Sequence, residues 1–233
     1  MCRFNDDGRV IQINEPGGGR PGRFSLSRTA AGNVWSFRDD VEAPVAKALA
    51  RLCANEPALA AGTGDATAPG RLTEAERAPD CLADVHAALG ESEPAAYSAG
   101  GPAYFWTGGH GMTFAQEIVD VTATNAHVFD GSMEDWLPDV GMRDVLKAVL
   151  VDGKAVAVCA SVRSSPGVHE PGVETHPAHR RQGHALAVVD AWARAVAQLG
   201  AVPCYSTSWN NVASQRTAAR LGFEFYAADW GVK

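Results

Sequence analysis

The chain has 233 residues, 46% of them hydrophobic and 20% charged, with a formal net charge of -7 and a pI near 5.5. This is the composition of a soluble globular protein, long enough for one large domain or a domain with a smaller companion, and it lacks the basic stripe that nucleic-acid binding requires. No apolar run reaches membrane-spanning length, and the start, MCRFNDDGRV, holds no apolar signal core. Five scattered cysteines without CxxC or metal-ligand spacing predict reduced thiols, a cytoplasmic protein and no metal.

In chain order, RVIQINE and RFSLSRTAAGNVWSF alternate as strands, the second broken by the turn signal Ala31-Gly32-Asn33. VEAPVAKALARLCANE sets Val45, Leu49 and Leu52 at helical spacing, and LTEAERAPDCLADVHAALG reads as a second helix ending at Gly90. Between them, residues 58–70 are rich in Ala, Gly and Thr and read as a flexible loop. ESEPAAYSAGG is the predicted boundary between an amino-terminal α+β region, residues 1–95, and a second domain, residues 96–233.

The second part is more regular. EIVDVTAT alternates as a strand, and SMEDWLPDVGMRDVLK reads as helix interrupted by loop. KAVLV and KAVAVCASV flank Asp152-Gly153, a strong hairpin signal, because both turn residues tolerate positive φ. The second arm is apolar on both faces, as in the middle of a covered sheet. GVETH is a further short strand. From Gln182 to Leu199 the pattern is helical and apolar almost all round, with Asp190, Arg194 and Gln198 on one narrow solvent stripe and Asp190 placed to pair with Arg194. VPCYSTSW is a strand, and NVASQRTAARLGF is a helix capped by Asn211 and closed by Gly222 in a left-handed conformation. FEFYA ends the order as a last strand, and the whole succession predicts an α/β layered fold.

One turn carries the chemistry. ETHPAHRRQGHALAVV gathers Arg180, Arg181, His176, His179 and His184 before an apolar helix. The first amides of a helix have no intrahelical partner, and the helix dipole adds partial positive charge there, so the turn suits an anion. Gly183 lets the backbone approach phosphate oxygens, and the arginines add charge-assisted contacts. The same residues also fit a basic helix start lying on solvent.

VETHPAHRRQGHA resembles the acyl-coenzyme A signature of the GNAT superfamily of N-acetyltransferases, and YSTSWNNVASQRTAARLGF resembles that family's second signature. The resemblance covers residues 101–233. It implies a GNAT-like fold, a mixed and mostly antiparallel central sheet flanked by helices, here with the additional amino-terminal region. It also implies transfer of acetyl from acetyl-coenzyme A (acetyl-CoA) to an amine of a small molecule or peptide, by direct attack in a ternary complex. By the same resemblance, backbone groups of Val173 and Thr175 pair with the pantetheine arm. The amides of Arg181, Gln182, Gly183, His184 and Ala185 hold the pyrophosphate, with the Arg180 and Arg181 side chains nearby. Asn211 bonds the pantetheine, and Ser214 lies beside the thioester or cofactor arm. The strands of Val173 and Tyr205 splay apart to admit the cofactor, and an amide there polarises the acetyl carbonyl.

The chain departs from the family in two places. Many members have a Tyr seven residues after the Asn to protonate the leaving thiolate, and here that position is Ala218. Ser214, Tyr205, Tyr226 or water could take over, or the thiolate could leave unaided. Attack needs a neutral amine, so a base is required. Counting back from Arg180 puts His169 at the usual base position with Glu170 adjacent, and a bulge at Pro171-Gly172 would exchange them. The order of preference is Glu170, His169, Glu174. Asp130, Glu134, Asp135 and Asp139 around Trp136 either suit a cationic amine or form a solvated helix face. Residues 1–95 carry no motif, and a companion domain, a substrate lid and a homodimer contact are all open to them. The rival of a different class is a non-catalytic acyl-CoA sensor.

Overall fold

Period-two alternation becomes strand at segments such as residues 24–29, where burial alternates along the strand, whereas residues 154–165 form a strand buried on both faces. The computed structural model describes residues 1–59, 78–90, 98–109 and 111–233. Strands β1 (Cys2–Phe4) and β2 (Val10–Ile13) pair as a small antiparallel sheet. β3 (Phe24–Thr29) and β4 (Gly32–Phe37) form an antiparallel hairpin, followed by helices α1 (Ala43–Asn55) and α2 (Leu82–Leu89). Then come β5 (Ser98–Trp106), β6 (Glu117–Asp120), β7 (Leu146–Val151), β8 (Lys154–Ser165) and β9 (Val168–Thr175). Helix α3 (His184–Gln198), β10 (Val202–Ser206), α4 (Val212–Arg220) and β11 (Phe223–Val232) complete the chain.

Nine strands make one sheet in the order β4-β3-β11-β5-β10-β9-β8-β7-β6. Every neighbouring pair is antiparallel except β9 and β10. The fold is therefore mixed and mostly antiparallel, flanked by helices. The boundary expected at ESEPAAYSAGG falls mainly on residues 91–97, outside the described residues, and the β3–β4 hairpin joins the large sheet through β11. The loop read at 58–70 lies almost wholly outside them as well.

The core explains the layers. On α3, Ala187, Val188 and Trp192 are fully buried against Ala157 and Cys159 of β8, with Leu221 and Phe223 in the same cluster. A second cluster packs Phe24 and Leu26 of β3 on Leu49 and Cys53 of α1 and Val85 of α2. Each large side chain so buried stabilises the fold by about 1.5–3 kcal/mol. The β7–β8 turn has Asp152 at φ 50 and Gly153 at φ 74, the twisted hairpin turn that the sequence signals.

Four local expectations change. The second helical stretch starts only at Leu82 among the described residues, because the Glu56 carboxylate accepts the amides of Asp80 (3.0 Å) and Cys81 (2.9 Å) while paired with Arg28 at 3.2 Å. The stretch around Trp136 is a 3-10 helix, Glu134–Asp139, with Pro138 inside it. Asp190 pairs with Arg194 at 2.7 Å but is buried rather than on a solvent stripe. The irregularity near Pro171-Gly172 lies in the partner strand: Ser161 pairs with Pro171 and Arg163 with Glu170, leaving Val162 as the extra residue of β8. A Cβ on Gly172 would run into Val162 Cγ1, so glycine makes room for that bulge.

Candidate active site

The site begins where β9 and β10 part. Their parallel ladder has only the pairs Val168↔Val202 and His169↔Pro203, beyond which β9 stays paired with β8 alone and β10 with β5 alone. The edge of β9 from Glu170 to Thr175 thus faces β10 across an opening without strand pairing. A cavity of about 690 Å³ fills this opening, lined by Val173 and Thr175 on one side and Tyr205, Asn211 and Ser214 on the other.

At one end of that cavity lie Arg180, Arg181, Gly183, His184 and Ala185. Arg181 has φ 61 and Gly183 φ 83, so two left-handed residues bracket Gln182 just before α3 begins. A non-glycine residue at positive φ is strained, and such alternation turns successive amides toward one point, as in anion-binding nests. A Cβ on Gly183 would find only Gln116 Nε2, at 3.6 Å, so the approach to these amides is open. The side chain of Gln182 turns back to the carbonyl of Ala178 (3.4 Å), and Arg180 Nε donates to the carbonyl of Thr175 at 3.3 Å.

The three histidine rings of this turn meet edge-on or tilted, His176–His179 at 5.7 Å and His179–His184 at 6.2 Å between ring centroids. His184 is buried, and neither ring nitrogen has a hydrogen-bond partner. Burial, and then the neighbouring His179, lowers its pKa. An anion in the cavity would reverse that preference.

Asn211 caps α4, its Oδ1 accepting from the Ser214 amide at 3.1 Å. Ser214 Oγ lies 2.7 Å from the hydroxyl of Tyr205. Burial, the largest cause, pushes Tyr205 up to about 12, so the phenol keeps its proton at neutral pH. Ala218, on the buried face of α4, offers no proton.

A second cavity, of about 470 Å³, shares Tyr205 and Ser206 with the first. Glu170 lines it. The Glu170 carboxylate accepts from Ser206 Oγ and pairs with Arg163 at 3.2 Å. His169 points elsewhere: it is buried, with Nδ1 2.9 Å from Ser161 Oγ, which in turn accepts from Trp192 Nε1 of α3 at 3.0 Å. The unbroken alternation of β9 separates the two residues, because the bulge is in β8. Glu174 accepts from Trp136 Nε1 at 2.7 Å, at the outer edge of the opening.

Two of the four acidic residues near Trp136 have local partners. Glu134 accepts the Gly131 amide (2.8 Å), and Asp139 pairs with Arg143 at 2.5 Å. Sequence reasoning missed Asp229, which lines the second cavity from β11. Its only signal is an acidic residue late in the run FEFYAADWGV, where Glu224 is exposed and Asp229 is half-buried.

Among the described residues, no helix is long and apolar enough to cross a membrane, and no group of three His, Cys, Asp or Glu side chains could hold a metal ion. All five cysteines are free thiols.

Residues 147–228 match the family model described as GNAT acetyltransferase. No curated protein matches the chain. Among solved structures, the chain is similar to a GNAT-family protein from Novosphingobium aromaticivorans DSM 12444, with 21% identity and TM-score 0.45 over 58% of this chain and 66% of that one. It is also similar to a GCN5-related N-acetyltransferase-like protein from Streptococcus suis 89/1591, with 16% identity and TM-score 0.44 over 58% of this chain and 63% of that one. The chain thus spans just under two thirds of the length of both. An acetyltransferase of the GNAT family from Colwellia psychrerythraea aligns at 17% identity and TM-score 0.49, over all of this chain and 80% of its own.

Proposed function

We propose that this chain, whose residues 147–228 match the GNAT acetyltransferase family, moves an acetyl group from acetyl-CoA to an amine by direct attack in a ternary complex. One observation supports this reading most. The cavity at the start of α3 and the cavity holding Glu170 share Tyr205 and Ser206 as a common wall, so two substrates entering separately would meet there.

The residues present fit the acyl carrier. The amides from Arg181 to Ala185 suit a pyrophosphate, because the positive φ of Arg181 and Gly183 turns them together. Arg180, Arg181 and His184 would add side-chain contacts, and Gln182 would contribute its amide. The unpaired edge of β9 offers the backbone of Val173 and Thr175 to the pantetheine in the manner of an added strand. Asn211 and Ser214 would face it from α4. Once bound, acetyl-CoA would supply an activated acetyl thioester.

The rest of the chemistry falls to the chain. Glu170, held by Ser206 and Arg163, accepts the proton that the ammonium must lose, directly or through one water. Tyr205, protonated and bonded to Ser214, is the proton source for the departing thiolate in place of the tyrosine that Ala218 replaces. Residues 1–95 act as a companion region that walls the acceptor side, since Ser27 of β3 reaches the second cavity. The free thiols suit the reducing cytoplasm.

The test is to incubate the protein with acetyl-CoA and a panel of amines, following free thiol and acetylated amine together. Equal amounts of both support the reading. Thermal stabilisation by acetyl-CoA without thiol release from any amine would favour a sensor instead.

A further inference from the structure

The second cavity has a chemistry of its own. It runs over the sheet face that carries Ser27, Phe105, Glu170, Ser206, Tyr226 and Asp229. The register puts these side chains together: Ser27 of β3 pairs with Asp229 of β11, and Phe105 of β5 pairs with Cys204 of β10. Among the described residues, two carboxylates line this cavity and no lysine or arginine side chain does.

The two carboxylates are in different situations. Glu170 sits on β9 at the opening, already paired with Arg163 and bonded to Ser206. Asp229 sits on β11, with β5 and β10 between it and β9. It is half-buried, and its Oδ1 is closed off from solvent with no hydrogen-bond partner. Burial, and then a hydrogen bond from Ser27 acting the other way, leaves its carboxyl raised to about 6, so it is mostly ionised at neutral pH. Glu170 raises it further, and the Met1 amino group, which also reaches this cavity, lowers it least of all. An ionised carboxylate with so little counter-charge is costly in such a place, and a cation from outside would relieve it. Phe105 and Tyr226, with ring centroids 5.9 Å apart, add aromatic surface that also favours a cation.

Resting on the acetyl-transfer reading, we propose that this cavity selects an aliphatic diamine, with Asp229 holding one ammonium while the other amine reacts beside Glu170. The protons require two nitrogens. The reacting nitrogen must become neutral before it attacks, so it cannot be the group that neutralises Asp229. Asp229 also stands two strands away from the opening where the acetyl group would arrive. The charge it receives therefore belongs to a second group on the same molecule. An acceptor with a carboxylate would meet repulsion from both Asp229 and Glu170.

The experiment compares 1,4-diaminobutane with butylamine, using the full chain as wild type and as Asp229→Asn. Calorimetry reads amine binding without acetyl-CoA, and thiol release reads turnover. The wild type should bind the diamine at least about tenfold more tightly than the monoamine, and Asp229→Asn should remove that preference mainly through KM. Acetyl-CoA binding should be equal in the two proteins. A wild type that binds both amines alike overturns the proposal, even if the variant fails to fold. So does an Asp229→Asn protein that keeps the full preference. Diamine binding that depends on Asp229 without any thiol release would uphold the cation site and instead overturn the acetyl-transfer reading.

Discussion

Tyr205→Phe separates catalysis from structure at the shared wall of the two cavities. The Tyr205 ring is buried against Phe223, with centroids 5.5 Å apart, and phenylalanine keeps that contact. Only the hydroxyl is lost, and with it the 2.7 Å bond to Ser214. A bond of this kind contributes about 1 kcal/mol net, which lowers the Tm of a chain this size by about 2–4 °C. The kinetic effect should be larger. A positioned general acid is worth about 10²–10⁴-fold, but a thiolate whose thiol titrates near ~8.5 needs little help, so the low end applies. The expected loss is about 100-fold in kcat, with kcat/KM falling equally, because the proton is delivered only in the transition state. The assay is thiol release with both substrates saturating, run beside a thermal melt and an acetyl-CoA titration. Full kcat in Tyr205→Phe would refute the assignment. A Tm loss well beyond this range would mean that the variant reports packing rather than proton transfer.

Three other outcomes are expected. Gly183→Asp puts a negative side chain on a residue at φ 83 at the α3 end of the cavity, so acetyl-CoA at 100 times its wild-type Kd, worth about 2.7 kcal/mol to the wild type, should not raise the variant's Tm. Glu170→Gln should lower turnover by about 100-fold with acetyl-CoA binding intact, and higher pH should partly rescue it by supplying neutral amine; full activity here with loss in His169→Gln would refute the base assignment. Asp229 provides the pH test. Its folded pKa of about 6 lies above the ordinary 3.8, so the stability it contributes is complete below about pH 4 and lost as pH rises through 6. Urea melts should therefore show Asp229→Asn gaining on the wild type by up to about 3 kcal/mol between pH 4 and 7.5, and a constant difference would contradict the burial argument.

Local chemistry made parts of this fold legible and hid others. The Asp152-Gly153 turn, the Asn211 cap and the arginine-glycine turn before α3 follow from residues close together in sequence, and all three are in place. β5 was not legible, because Gly100-Gly101-Pro102 reads as punctuation. Those glycines instead allow close approach: a Cβ on Gly101 would strike the Thr207 carbonyl, and one on Gly100 the Trp230 ring. Nor does local pattern reveal that β5 inserts between β10 and β11, elements that follow each other in the chain. That insertion completes the face on which Asp229 and Glu170 share a cavity, so this cavity depends on contacts distant in sequence. The faces taken by Glu170 and His169 are hidden from local pattern for a related reason, since the extra residue of the ladder is Val162, in the neighbouring strand.

Amide hydrogen exchange with and without acetyl-CoA tests most directly whether the acyl carrier binds in the opening between β9 and β10. Protection should rise at Arg181–Leu186 and along Glu170–Thr175, the two stretches that line or border the larger cavity. It should stay unchanged at Gly131–Trp136, which line a separate groove with Glu174. No added protection in the first two stretches at saturating acetyl-CoA, or protection confined to the groove, would contradict that placement.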